Sequence, residues 1–268
     1  MENFLHEFIL PVAAKRRWTS VCELGASFGV GTDRLLALPD VSVTVLDPCL
    51  DSDLEGKYAN NPRVRVCKGN SLAVLPVLEG TYDCILIDGD HNWYTVYNEL
   101  KLIAERHLLK RSGMIFLHDV EWPFGRRDMY YQPNTIPTRY RHSYARRGML
   151  RGRSELSDSS GLNPGFYNAL HEGGPKNGVL TAVEDFLTEH QHEYQFFRMR
   201  WDSGLGVVHY RDSLRDDLGF LALACKGLTY NLFTWPRRFA LTNLPSTYLF
   251  AKSIKSTLRR VRYSFSTR

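Results

Sequence analysis

A chain of 268 residues, 43% of them apolar and 24% charged, is long enough to bury a full core, and one α/β domain with additions is expected. Its composition is ordinary for a soluble globular protein, and no apolar run reaches the ~18 residues of a membrane-spanning helix. The net charge of +5 hides an asymmetry: nine basic residues and no acid follow Asp217, which leaves residues 1–217 at −4.

In chain order, residues 4–14 are apolar but short. Their basic cluster, Lys15-Arg16-Arg17, follows rather than precedes them, the reverse of a signal peptide. A capping or dimer helix in a cytoplasmic protein is expected there. A strand at 19–22 then runs into Glu23-Leu24-Gly25-Ala26-Ser27-Phe28-Gly29-Val30-Gly31-Thr32 and a helix at 33–38. Strand, glycine-rich turn and helix bring backbone N–H groups close to a nucleotide. A dinucleotide fold asks for G-x-G-x-x-G, whereas this order is G-x-x-x-G-x-G, which disfavours an NAD-dependent oxidoreductase.

Further strands are expected at 41–46, ending in Asp47, and at 63–68, ending at Gly69-Asn70-Ser71. Two more are expected at 83–87, ending at Asp88-Gly89-Asp90-His91, and at 114–117, ending at His118-Asp119. Helices fill the gaps at 51–60, 72–78 and 93–109, with Gly113 as a helix stop. Alternating strands and helices predict a parallel sheet covered on both faces. Each of these acids sits at the carboxyl end of a strand, where such sheets bind ligands. A carboxylate at Asp47 can accept both hydroxyls of a ribose, or can cap the following turn.

Residues 120–177 lose the rhythm and carry several prolines with Arg126, Arg127, Tyr130 and Tyr131 near the start. Arginine among aromatics grips polar, planar or anionic ligands. A segment leaving the Asp119 edge is read as a substrate lid, with a dimer contact as the alternative. Gly173-Gly174-Pro175-Lys176-Asn177-Gly178 precedes a helix at 179–190, as a substrate contact or a plain helix start. Strands at 194–199 and 206–210 close the body.

In the tail, Ala251, Ile254, Leu258 and Val261 share one face of a helix whose other positions carry Lys252, Lys255, Arg259 and Arg262. Docking onto the body or a second subunit, and a membrane-surface or anionic-partner role, both fit. The net-acidic body lacks a basic nucleic-acid motif, so no nucleic-acid partner is expected. The five cysteines form no C-x-x-C pair, which reads as buried thiols and not a zinc site.

The glycine motif, with its acid two residues before the first glycine, resembles motif I of class I S-adenosylmethionine (SAM) methyltransferases. Asp47 and the closing hairpin extend the resemblance over about residues 15–212. Ile87-Asp88-Gly89-Asp90-His91-Asn92-Trp93-Tyr94 with His118-Asp119 looks like the subgroup of macrocin-type sugar O-methyltransferases and cephalosporin-hydroxylase-like proteins.

The resemblance implies a Rossmann-like seven-stranded sheet with its last strand antiparallel and helices on both faces. That domain would span residues 1–212, with the lid at 120–177 and a basic helical extension over 213–268. It implies SAM as cofactor, held by Glu23, Gly25, Ser27, Gly29, Thr32, Asp47, Asn70, Ser71 and Asp88. It further implies Mg²⁺ or another divalent metal on Asp88 and Asp119. His118 departs from the acidic pair of those relatives, so His118 or His91 as a metal-free base stands beside the metal reading. The implied reaction is methyl transfer to a hydroxyl of a sugar or glycosylated natural product by a homo-oligomer. A hydroxylase-like relative and a non-catalytic SAM-fold subunit are the alternatives.

Overall fold

The computed structural model describes residues 1–49 and 53–213. It opens with helix α1 (Glu2–Phe4), a π-turn (Leu5–Ile9) and helix α2 (Leu10–Arg16), ended by Arg17 in the left-handed region. Phe4, Leu5, Phe8 and Ile9 are at most 1% exposed, so this segment caps the body of its own chain.

Strand β1 (Ser20–Leu24) leads through the glycine loop to α3 (Val30–Leu35). There follow β2 (Ser42–Asp47), α4 (Leu54–Tyr58), β3 (Val64–Lys68), α5 (Ser71–Val74), β4 (Tyr82–Ile87), α6 (Trp93–Glu105) and β5 (Leu109–His118). The 120–177 segment, for which the label lid is kept, contributes β6 (Met129–Tyr130), β7 (Tyr144–Ala145), β8 (Gly148–Met149), β9 (Leu156–Ser157) and β10 (Tyr167–Ala169). Helix α7 (Val179–Glu189) and strands β11 (Tyr194–Met199) and β12 (Leu205–Tyr210) close the body.

The main sheet runs β11-β12-β5-β4-β1-β2-β3. Strands β1 to β5 pair in parallel, while β12 is antiparallel to both β5 and β11. The chain builds outward from β1 in one direction and then returns to build β4 and β5 in the other. That reversal opens a crevice at the carboxyl ends of β1 and β4. Alternation along the strands feeds two cores. Cys22, Leu24, Ile85 and Ile87 meet Val96, Leu100 and Ile103 of α6 and Val183 and Phe186 of α7. Val21, Cys84 and Leu86 meet Phe4, Phe8, Leu35 and Leu54 on the opposite face. Truncating a fully buried leucine such as Leu100 to alanine costs about 2–5 kcal/mol at a site of this kind.

Two expectations are corrected. Helix α6 ends at Glu105, not at 109, because His107 turns left-handed and the apolar pair Leu108-Leu109 joins the sheet. Gly113 is therefore no helix stop. It lies within β5 near the register shift against β4, where a Cβ would meet the Lys110 carbonyl at 2.9 Å. The lid, read as irregular, holds a three-stranded sheet β6-β10-β7 and a β8-β9 hairpin. Its strands of two or three residues are too short to show a period in sequence. The expected basic tail helix, and residues 51 and 52 of the helix expected at 51–60, lie outside the described residues. Among the described residues no helix is long and apolar enough to cross a membrane.

Candidate active site

The glycine loop is shaped by its own neighbours. Gly25 (φ +85°) crosses the loop after β4 so closely that a Cβ would sit 2.3 Å from Gly89 Cα. Gly29 (φ +75°) opens α3, and a Cβ there would sit 2.3 Å from the Tyr58 hydroxyl, which donates to the Gly29 carbonyl. Glu23 lies beneath the loop and accepts from the Thr32 hydroxyl. Burial pushes its carboxyl up to about 7 against that hydrogen bond. Thr32 is fully buried, so its expected contact with a cofactor is corrected: its hydroxyl serves Glu23.

Asp47 ends β2 and ties the loop to it. Its Oδ2 accepts from Ser27 N–H at 2.9 Å and its Oδ1 from Cys49 N–H at 2.7 Å. Both oxygens keep a second lone pair for a diol. Ser27 is exposed with φ +53°. Asn70 is exposed before α5, and the half-buried Ser71 donates to Glu99 of α6. The ends of β1 to β4 thus line one crevice. Its wall is a tight glycine loop, on which the Lys57 ammonium rests at the Phe28 carbonyl, and the buried Asp47 carboxylate, whose free lone pairs fit a nucleoside diol.

The reactive edge begins where β4 and β5 end side by side, with Ile87 opposite Leu117. His118 Nδ1 is 2.8 Å from Asp88 Oδ1 and 3.3 Å from Asp119 Oδ2. Its Nε2 lies 3.1 Å from the Ser203 hydroxyl of the β11–β12 turn. His91 Nδ1 approaches the same Asp119 Oδ2 at 3.3 Å, while its Nε2 lies 3.5 Å from the Tyr131 hydroxyl of the lid. The His91 ring stacks on Phe124 with centroids 5.0 Å apart. Asp119 holds this position with φ +59°, a strained conformation that aspartate tolerates better than most residues. Phe4 of the N-terminal segment walls the other side, edge-on to His118 at 5.8 Å.

Electrostatics follow from this crowding. Burial would depress His118, but Asp119 and Asp88 outweigh it and hold the imidazole up at about 9. Burial would raise Asp119, but His118 and His91 hold it well below the usual carboxylate range. Asp88 is lowered in the same way by His118. Asp88, His118 and Asp119 each offer one ligand atom, all within 4.8 Å of one another. Two carboxylates that draw a proton onto a half-buried imidazole would also draw a divalent cation, so the donor set fits one.

The lid reaches this edge through Asp128. Its Oδ1 accepts from the backbone N–H groups of Trp93 and Gly178, at the starts of α6 and α7. Its Oδ2 accepts from the Tyr130 hydroxyl. Met129 pairs with His91 as an isolated bridge. Two expected substrate contacts, Arg127 and Tyr130, are corrected by their burial, and Arg126 is paired with α7. Arg127 is fully buried and donates to the carbonyls of Ala169 and Ser154. Arg126 is spent on Glu184 and Thr181 of α7. Tyr130 is buried against Asp128. Tyr131 stays exposed beside His91, edge-on to the exposed Phe166.

Sequence reasoning missed Asp128, Ser203, Phe124 and Glu99. For Ser203 a signal existed, since the turn of a hairpin returning beside β5 must pass the end of that strand. The others depend on lid and helix packing that no local pattern reports.

Residues 22–120 match the profile of a family described as a methyltransferase domain. No curated protein matches the chain in sequence. Among solved structures, the chain is similar to the SAH-bound methyltransferase PaMTH1 of Podospora anserina at 16% identity and TM-score 0.48, over 76% of this chain and 77% of that one. It is similar to cofactor-bound Rv0187 from MTB at 17% identity and TM-score 0.45, over 76% and 78%. It is also similar to the SAM-bound O-methyltransferase TomG of Streptomyces achromogenes at 12% identity and TM-score 0.43, over 77% and 78%. The segment that matches the methyltransferase-domain profile runs from β1 to the end of β5 and so contains the glycine motif, Asp47, Asp88, His91, His118 and Asp119.

Proposed function

We propose that this protein moves the methyl group of SAM to a hydroxyl of a polar small molecule, a sugar or a glycosylated compound. The observation that carries this reading is the line Asp88–His118–Asp119–His91 at the mouth of the crevice. A subunit freed from catalysis has no need to keep two imidazoles and two carboxylates in contact there.

The chemistry asks for alignment and for removal of one proton. The acceptor oxygen forms its bond to the methyl carbon as the carbon–sulfur bond breaks, and the sulfonium becomes a neutral thioether. Holding the two reactants in line supplies several kcal/mol. His118, protonated up to about 9, is a poor base at neutral pH. His91 is better placed: Asp119 orients its Nδ1, and its Nε2 faces the lid beside Tyr131. This is the orienting arrangement of a carboxylate–imidazole base. The proton of the hydroxyl goes to His91 Nε2.

A second reading rests on the same cluster. A divalent cation on Asp88, His118 and Asp119 would lower the pKa of an acceptor hydroxyl. Both readings keep the acceptor between Tyr131 and Asp119.

Methyl-labelled SAM incubated with a panel of glycosylated compounds should give a product whose label sits on oxygen. His91→Ala should cut transfer at least 100-fold while SAH still binds in calorimetry. Transfer to nitrogen, or full activity in that variant, would overturn the reading. Loss of activity with a chelator and its return with Mg²⁺ or Mn²⁺ would select the metal form.

A further inference from the structure

A second concavity lies away from the transfer centre, between α6, α7 and the lid. Its volume is about 590 Å³, within the range that holds small ligands. One side is aromatic. Trp93 and Tyr97 stack at 4.8 Å, Tyr94 and Tyr140 stack at 5.1 Å, and Trp93 lies 5.6 Å from Tyr140. The Lys176 ammonium covers the Trp93 ring at 5.2 Å and Tyr140 at 5.0 Å, and Arg139 covers Tyr140 at 4.8 Å, so a ligand reaches these faces by displacing flexible cationic side chains. The other side is polar and of mixed sign: Asn98, Lys101 and Arg139 face Asp185, Thr188 and Glu189. Asp185 accepts from the Trp93 indole N–H, and Glu189 accepts from the Tyr97 hydroxyl, which fixes both rings.

The ligand that suits such a wall has an apolar face and many small groups that both donate and accept. A phosphorylated ligand would want an excess of cations, and a peptide cation would want an excess of acid. Here Lys101, Arg139 and Lys176 stand against Asp185 and Glu189, and Lys101 pairs outside the concavity with Glu105 at 3.8 Å, which leaves neither sign in excess. A pyranose ring presents polarised C–H groups to an aromatic face, as a cation does. Its vicinal hydroxyls can each accept from Lys101, Arg139 or Lys176 and donate to Asp185, Glu189 or Asn98.

We propose that this concavity is a binding site for a neutral carbohydrate. It is separate from the transfer centre yet starts at Trp93, two residues beyond His91. It rests only in part on the methyl-transfer reading, since carbohydrate would bind there whatever the reaction. Where the acceptor is itself glycosylated, the site holds a sugar unit remote from the reacting hydroxyl.

The full-length protein is to be titrated by calorimetry with neutral tri- and tetrasaccharides of glucose, galactose, mannose, rhamnose and N-acetylglucosamine. SAH is titrated in parallel as the readout of the cofactor crevice. At least one saccharide should bind with a Kd of ~1 mM or tighter, an affinity at which four stacked rings and a few hydrogen bonds are sufficient. Tyr140→Ala and Asn98→Ala should each weaken it 10-fold or more with SAH binding unchanged. No saccharide binding to the wild type overturns the proposal, as does equal binding in both variants. Loss of SAH binding with saccharide binding intact would instead strike the cofactor reading and leave this site standing.

Discussion

The glycine loop and the lid line the same crevice with contacts of different range. In the loop, Thr32 bonds to Glu23 nine residues away and Ser27 to Asp47 twenty away. In the lid, Asp128 accepts from Trp93 N–H across 35 residues and from Gly178 N–H across 50, and Arg126 bonds to Glu184 across 58. A short-range loop forms with the strands that flank it. The lid's bonds require α6 and α7 to be docked, because Trp93 and Glu184 lie on those helices. The cofactor half should therefore survive damage to the lid, whereas the reactive edge, which borrows from both, should not survive damage to either.

The largest effect is expected at Asp119, the residue shared by His91 and His118. Asp119→Asn keeps a side chain that tolerates the left-handed backbone but removes the charge. Methyl transfer should fall about 10²–10⁴-fold with SAH affinity within about twofold. Wild-type turnover in this variant would break the division between binding half and reactive half.

Next comes Asp128→Ala, which strands Trp93 N–H, Gly178 N–H and the Tyr130 hydroxyl in a buried site. At about 1–3 kcal/mol per unsatisfied donor, the protein should lose roughly 3 kcal/mol or more. Limited proteolysis should cut first within 120–177 while SAH still binds. Gly25→Ala makes the reciprocal cut. Its Cβ would strike the Gly89 backbone from a positive-φ position, and about 2–3 kcal/mol should go. SAH affinity should drop with it and the lid should stay resistant to protease. If the two variants gave the same cleavage pattern, the two halves would not be separable.

A smaller effect is expected from pH. His118 is raised to about 9 in the fold from an ordinary value near 6.5. Its charge pairing stabilises fully below about 6.5 and is lost as pH climbs through 9. Asp119 is lowered, so its contribution is present above about 4 and disappears on acidification. Melting temperature should therefore decline from pH 6.5 to 9, by an amount corresponding to about 2–3 kcal/mol. His118→Gln should flatten that slope; an unchanged slope would remove His118 as its source.

The smallest effect concerns Glu99, fully buried on α6 with Oε2 unpaired and its carboxyl pushed by burial up to about 8. Between pH 4.5 and 8 the unfolded chain ionises Glu99 while the fold holds it protonated, so Glu99→Gln should stabilise at pH 9 by about 1 kcal/mol or more and change little at pH 4.

The sequence by itself determined the parallel core, the hairpin that closes the sheet and the residues that end each strand. These follow from hydrophobic period and from glycines at short spacing, both of which are local. It placed Asp47, Asp88, His91, His118 and Asp119 on one edge for the same reason, because strand ends in a parallel sheet face one way. Only the tertiary structure decided what the lid's charges do. The arginines that read as ligand grips turned out to hold the lid, since a guanidinium with carbonyls and a carboxylate within reach is satisfied from inside the protein. It also decided the meaning of the glycines: Gly25 makes room for Gly89 of the neighbouring loop. A side chain's type limits what it can bond, but which partner it meets is set by packing between segments far apart in the chain.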